Sequence, residues 1–131
     1  MTAVSTYLMF QGDAEAALDA YAAIFDAFVV EDIERYGPEE AVASGALKLA
    51  RISFAGHQLR LFNSPPVHDF SFTPSMSLFL DMTSRDELER ALAALSEGGR
   101  ILMPLDDYGF SAAFSWVEDR FGVSWQLNLP R

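Results

Sequence analysis

The stretch that decides the fold is Ser115-Trp116-Val117-Glu118-Asp119-Arg120-Phe121-Gly122-Val123-Ser124-Trp125-Gln126-Leu127-Asn128. It reads as strand, tight turn, strand. Asp119 to Gly122 supplies the turn, and large side chains alternate on both flanks. A second stretch rhymes with it: Phe54-Ala55-Gly56-His57-Gln58-Leu59-Arg60-Leu61. Aligning Gly56 with Gly122 sets Arg60 opposite Gln126. Two matched hairpins some 65 residues apart point to an internal repeat of supersecondary size.

Working outward, each hairpin sits at the end of the same series of elements. Ser5 to Phe10 is a short apolar run and predicts a strand. Gly12-Asp13 breaks it, and Asp13 is placed to cap a helix. Ala17, Leu18, Tyr21, Ile24 and Phe25 recur at helical spacing, so a helix is expected over Asp13 to Phe25. Phe28 to Tyr36 predicts a strand with Phe28, Val30 and Ile33 on one face. Gly37 to Gly45 is a polar loop. Leu47 to Phe54 and Gln58 to Phe62 are expected to pair antiparallel about Ala55-Gly56-His57.

The series then restarts. Ser75 to Met82 predicts a strand. Ser84 and Glu87 have capping-box spacing, and Leu88, Ala91, Leu92 and Leu95 form the apolar stripe of the helix that follows. Gly98-Gly99 stops that helix. Arg100 to Leu105 predicts a strand, Asp106 to Ala112 a loop, and the closing strand pair completes the unit. The expected organisation is a single domain over residues 1–131. Module one covers about 5–63, a linker holding Pro65, Pro66 and Pro74 covers 64–74, and module two covers 75–129. The class is α+β, with two β-α-β-β-β modules packed as a pseudo-twofold pair.

Composition narrows the function classes. Half of the 131 residues are hydrophobic (50%), enough for a real core. The net charge is -10, from 19 acidic and 9 basic residues. Such a body repels phosphate backbones and anionic lipid, so neither nucleic acid nor a membrane is an expected partner. Cysteine is absent, which removes disulfides, thiolate nucleophiles and Cys-ligated metals. No run reaches the ~18 apolar residues of a membrane span. The N-terminal residues lack the basic start of a signal peptide, so a cytoplasmic protein is expected.

Several segments together resemble a known family. They are Tyr7-Leu8-Met9-Phe10-Gln11-Gly12-Asp13-Ala14-Glu15-Ala16-Ala17, Tyr21 with Ile24-Phe25, Phe72-Thr73-Pro74-Ser75-Met76-Ser77-Leu78, Gly98-Gly99, and Trp116 through Gln126. The chain resembles the vicinal oxygen chelate superfamily, which includes glyoxalase I, extradiol dioxygenases and bleomycin-resistance proteins. Within it, the likeness is to the PhnB-like, or demethylubiquinone methyltransferase-like, group. The resemblance implies curled mixed sheets forming an open cup, with helices outside, and a homodimer. The eleven Phe residues add a need for burial that a small cup does not meet.

Metal-using members of that superfamily carry His or Glu ligands on the first and last strand of each module. By resemblance these positions fall near Thr6, Leu59 or Arg60, Ser75 and Gln126. None is a carboxylate or imidazole, so no metal and no cofactor are expected. The only histidines, His57 and His68, belong to a turn and to the linker. Thr6, Arg60, Ser75 and Gln126 are instead candidates for the polar floor of an apolar ligand pocket. Trp116, Trp125 and Tyr108 are candidates for its wall, with core packing the rival role of both tryptophans.

Arg60 is suited to a carboxylate or phosphonate, but it lies between two leucines, so alternation does not fix its side. Asp106-Asp107 and His68-Asp69 are pairs with a conceivable acid/base role, against a simpler role as solvated loop residues. No nucleophile elbow occurs. No glycine-rich methyl-donor loop follows a strand, which argues against methyl transfer.

The first functional expectation is a metal-independent protein that binds a small apolar or aromatic molecule. The second is an enzyme of the same superfamily acting on a small oxygenated substrate. The third is a dimeric accessory protein with a filled cup.

Overall fold

The chain is described by a computed structural model of residues 1–131. The first unit spans Met1–Phe70 and the second Ser71–Arg131, so the proline-rich linker divides between them.

In the first unit, β1 (Thr6–Phe10) is followed by α1 (Ala14–Ile24), β2 (Phe28–Arg35), β3 (Leu47–Phe54) and β4 (His57–Asn63). The sheet order is β1-β4-β3-β2. β1 runs parallel to β4, and the other pairs are antiparallel. A parallel pair needs a crossover, and the α1-β2-β3 excursion provides it. Leu59 and Leu61 of β4, Ala50 and Ile52 of β3, and Ala17, Leu18 and Tyr21 of α1 are buried. The helix therefore covers one face of the sheet. Tyr21, Phe25, Phe28 and Phe54 meet there at ring separations of 5.2 to 5.8 Å.

Two local expectations resolve in informative ways. Phe28 pairs with Phe54, Val30 with Ile52 and Ile33 with Ala50, across a register shift between Val30 and Asp32. Strict alternation would turn Ile33 to the opposite face. The bulge absorbs Glu31 and keeps Ile33 with the other two. Asp13 does occupy the N-cap position of α1, but its side chain makes no capping bond. The nearby amide of Gly12 instead donates to Asn63 Oδ1 at 2.7 Å, tying the start of the helix to the end of β4.

The second unit repeats the plan with β5 (Ser77–Asp81), α2 (Arg85–Ser96), β6 (Arg100–Asp106), β7 (Ala113–Glu118) and β8 (Ser124–Leu129), in the order β5-β8-β7-β6. β5 is parallel to β8, and the rest are antiparallel. The repeat extends to register: Tyr7 pairs with Arg60 as Phe79 pairs with Gln126. Both hairpin glycines have positive φ, +86° at Gly56 and +92° at Gly122, the reason glycine is needed in each turn.

Ser84 caps α2 by accepting the Glu87 amide at 3.1 Å. The reciprocal half of the capping box is absent, because the Glu87 carboxylate accepts from Thr83 Oγ1 at 2.7 Å. Leu88, Ala91, Leu92 and Leu95 are buried on the sheet face that carries Val117, Trp125 and Leu127. Neither helix of the chain is long and apolar enough to cross a membrane.

Candidate functional site

Each sheet has one face under its helix and one open face. Strand alternation decides which side chains reach the open face, and pairing registers arrange them in rows.

On the second sheet, one row runs Ser77, Ser124, Glu118, Arg100. The next runs Phe79, Gln126, Trp116, Met103, and a third Asp81, Asn128, Phe114, Asp106. The first two rows are joined by hydrogen bonds. Trp116 Nε1 donates to Ser124 Oγ at 2.8 Å. Ser124 Oγ and Ser77 Oγ are 2.6 Å apart. Gln126 Nε2 donates to Ser77 Oγ at 3.2 Å. A polar line thus crosses three strands of this face, with the rings of Phe79, Trp116 and Phe114 among its neighbours. Phe79, 53% exposed, stands beside it, and rings continue from Phe79 to Phe114 (6.2 Å) and on to Tyr108 (6.1 Å).

The sequence-derived candidates divide accordingly. Gln126, Trp116 and Tyr108 come together on or beside this face. Trp125 does not. It is 0% exposed, on the helix-covered side, with Nε1 donating to Asp119 Oδ2. Ser75 lies outside β5, in an exposed turn, with its hydroxyl 2.7 Å from Thr73 Oγ1. The serine beside Gln126 is Ser77, two residues later. Ser77, Ser124 and Phe79 were missed. Stepping two residues back from Gln126 along its strand would have found Ser124.

On the first sheet the open face carries the row Tyr7, Arg60, Arg51, Asp32. Leu59 and Leu61 are buried against α1, so Arg60 points away from the helix. Thr6 pairs with Leu59 and therefore lies on the opposite side from Arg60. Its Oγ1 is 2.8 Å from His57 Nε2. Thr6 and Arg60 cannot share one floor. Tyr7 is in ring contact with Phe62 (5.8 Å). Partial burial, then Tyr36, push its phenol above the ordinary value, while Arg60 pulls it down more weakly.

The acid pairs have other work. Asp107 Oδ1 accepts from the Gly109 amide (2.7 Å), and both its oxygens accept from Arg131 at 3.0 Å. These bonds hold its carboxyl below the usual carboxylate range, the amide bond most. Asp106 Oδ1 accepts from the Asp107 amide. His68 is tied by its backbone to Gln11 Oε1 (3.0 Å), and its ring rests on Phe70 (4.9 Å).

A metal of the kind used elsewhere on this fold would need imidazole or carboxylate ligands. The strand positions offer hydroxyls, an amide and a guanidinium, and no group of three or more His, Asp or Glu side chains gathers anywhere as a cage. This donor set does not fit such an ion.

The sequence pattern of the family described as 3-demethylubiquinone-9 3-methyltransferase matches residues 2–128. The chain belongs to this family. The PhnB protein of Bacillus cereus, which carries the same family description, is 37% identical, with a TM-score of 0.90 over 98% of this chain and 99% of that one. Protein YjdN of Escherichia coli K12 is 26% identical over 98% of this chain and 95% of its own length. A glyoxylase/bleomycin resistance protein/dioxygenase domain from Frankia sp. EAN1pec, 17% identical, covers 100% of this chain and 99% of its own with a TM-score of 0.70. The 3-demethylubiquinone-9 3-methyltransferase family thus has the fold of the glyoxalase/bleomycin-resistance superfamily, as the sequence resemblance implied.

Proposed function

We propose that this chain is a small-molecule-binding protein that works without a metal. The observation that carries the reading is the neutral line from Trp116 through Ser124 and Ser77 to Gln126. It is a set of fixed donors and acceptors in an aromatic surround, suited to orienting a ligand of mostly apolar surface. The line contains no titratable group to take up or release a proton, which favours binding over proton-transfer chemistry.

Methyl transfer, the activity in the family's description, is not part of this reading. It requires a bound methyl donor. β1 passes to α1 through one glycine, Gly12, whose amide is already committed to Asn63. That connection lacks the glycine-rich turn of a dinucleotide-type donor site.

The reading extends to a homodimer, since Phe70, Phe79 and Phe110 are each more than half exposed and aromatic surface of that kind favours association. Sedimentation of the purified protein at the mass of a dimer is the expected result.

Two measurements test the binding reading. Elemental analysis of purified protein should find no stoichiometric Zn, Ni, Mn or Fe. A thermal-shift screen of small aromatic compounds should find some that raise Tm. Native-state binding at a hundredfold Kd adds about 2.7 kcal/mol. Stoichiometric metal, or a screen without a single shift, would overturn the reading.

A further inference from the structure

The chain has nine Lys and Arg side chains. Seven lie within ion-pair distance of a carboxylate. The eighth, Arg120, lies over the Phe121 ring, 4.4 Å from its centroid. The ninth is Arg60. In a protein with a twofold excess of acidic residues, its guanidinium makes no hydrogen bond and no ion pair.

The position makes this unusual. β4 is an interior strand, and Arg60 is partly buried on the open face. Its cross-strand neighbour on β3 is another cation, Arg51. Like charges directly opposite destabilise a sheet. The carboxylate in the same row, Asp32, is engaged by Arg51 at 2.8 Å. On the other side stands Tyr7 of β1, whose raised phenol keeps its O–H proton at neutral pH. A guanidinium presents five donors in a flat fork that matches two oxygens at once. Here that fork is unspent, next to a phenolic donor and the Tyr7–Phe62 ring pair.

We infer that Arg60 anchors an oxyanion, a carboxylate or a phosphonate, carried by a small molecule with an aromatic or apolar body on the open face of the first sheet. The inference rests on the reading of this chain as a small-molecule-binding protein and adds an anchor on the first sheet, with a ligand chemistry of its own. The second cation, Arg51, adds to the attraction while remaining paired with Asp32.

The test uses four related probes against the full chain: benzoate, phenylphosphonate, neutral benzamide and cationic benzylamine. Benzoate or phenylphosphonate should raise Tm at millimolar concentration, and which of the two binds tighter separates the carboxylate from the phosphonate. Benzamide and benzylamine should shift it less. Arg60→Gln should weaken the anion about tenfold or more, as expected for loss of a charged hydrogen-bonding partner. Arg85→Gln, on the exposed α2 surface, should change nothing. In the unsubstituted protein, the Arg60 side-chain N–H resonances should move on titration with the anion, a readout that needs no variant.

Three results overturn the inference: equal or stronger shifts with benzamide or benzylamine, anion binding unchanged in Arg60→Gln, and no anion shift at all. Shifts confined to the neutral or cationic probes would leave the binding reading standing and remove only the oxyanion anchor.

Discussion

Trp125 Nε1 donates to Asp119 Oδ2 at 2.9 Å, so the last hairpin is pinned from within by the carboxylate of its own turn. Asp119 is only 5% exposed, and its other oxygen accepts from the Phe121 and Val123 amides at 2.9 and 3.0 Å. The carboxylate thereby fixes the turn conformation and the indole orientation together. Losing it leaves buried donors without an acceptor, at about 1–3 kcal/mol for each such group.

Asp119→Ala should therefore destabilise the chain by about 2–4 kcal/mol, from unpaired buried donors. Asp119→Asn should recover part of the loss, because an amide oxygen still accepts while its nitrogen cannot. Denaturant unfolding followed by tryptophan fluorescence measures both. Equal stability of the three proteins would refute the pinning role.

Gly99→Ala tests a close approach. A Cβ at this position would stand 2.1 Å from the Glu118 carbonyl oxygen and 2.9 Å from two Asp119 backbone atoms. Backbone must move to admit it, at a cost of roughly 2 kcal/mol or more, as for other overpacked sites. Gly45→Ala is not a control for this effect, because its φ of +88° strains any side chain there. Ala93→Gly, at an exposed position of α2, is the better comparison, with a loss of about 1 kcal/mol from propensity alone.

Gln126→Ala separates a ligand-orienting role from a structural one. The side chain contributes one hydrogen bond, to Ser77, worth about 1 kcal/mol. The variant should unfold within a few degrees of the parent and lose most of the Tm increase produced by a neutral aromatic compound that stabilises the parent. A retained increase would show that Gln126 does not touch the ligand.

The pair Glu15 and Arg35 supplies a pH dependence. Arg35 donates to both Glu15 oxygens at 2.9 and 3.0 Å, and this hydrogen bonding holds the Glu15 carboxyl below its ordinary 4.5. A lowered carboxyl stabilises the folded state above the unfolded value, and the contribution is lost as pH falls through the folded value. The window therefore lies below about pH 4.5. Both side chains are well exposed, so the effect on stability is small and screened by salt. In Arg35→Gln, carboxyl NMR should show the Glu15 midpoint rising toward its ordinary value. An unchanged midpoint would assign the shift to another cause.

The sequence by itself determined what depends on neighbours along the chain. Alternation, helical spacing and the paired glycine turns at Gly56 and Gly122 located all eight strands and both helices, and revealed the repeat that sets Arg60 and Gln126 in equivalent places. These signals are local because backbone geometry fixes the periods of strand and helix and the φ of a tight turn. The sidedness of Arg60 between two leucines, the burial of Trp125, the replacement of Ser75 by Ser77 beside Gln126, and the separation of Thr6 from Arg60 were decided only in the tertiary structure. Each depends on which strand lies alongside and in what register. A shift of one residue turns a side chain to the other face, and that register is set by packing against a helix far away in the sequence.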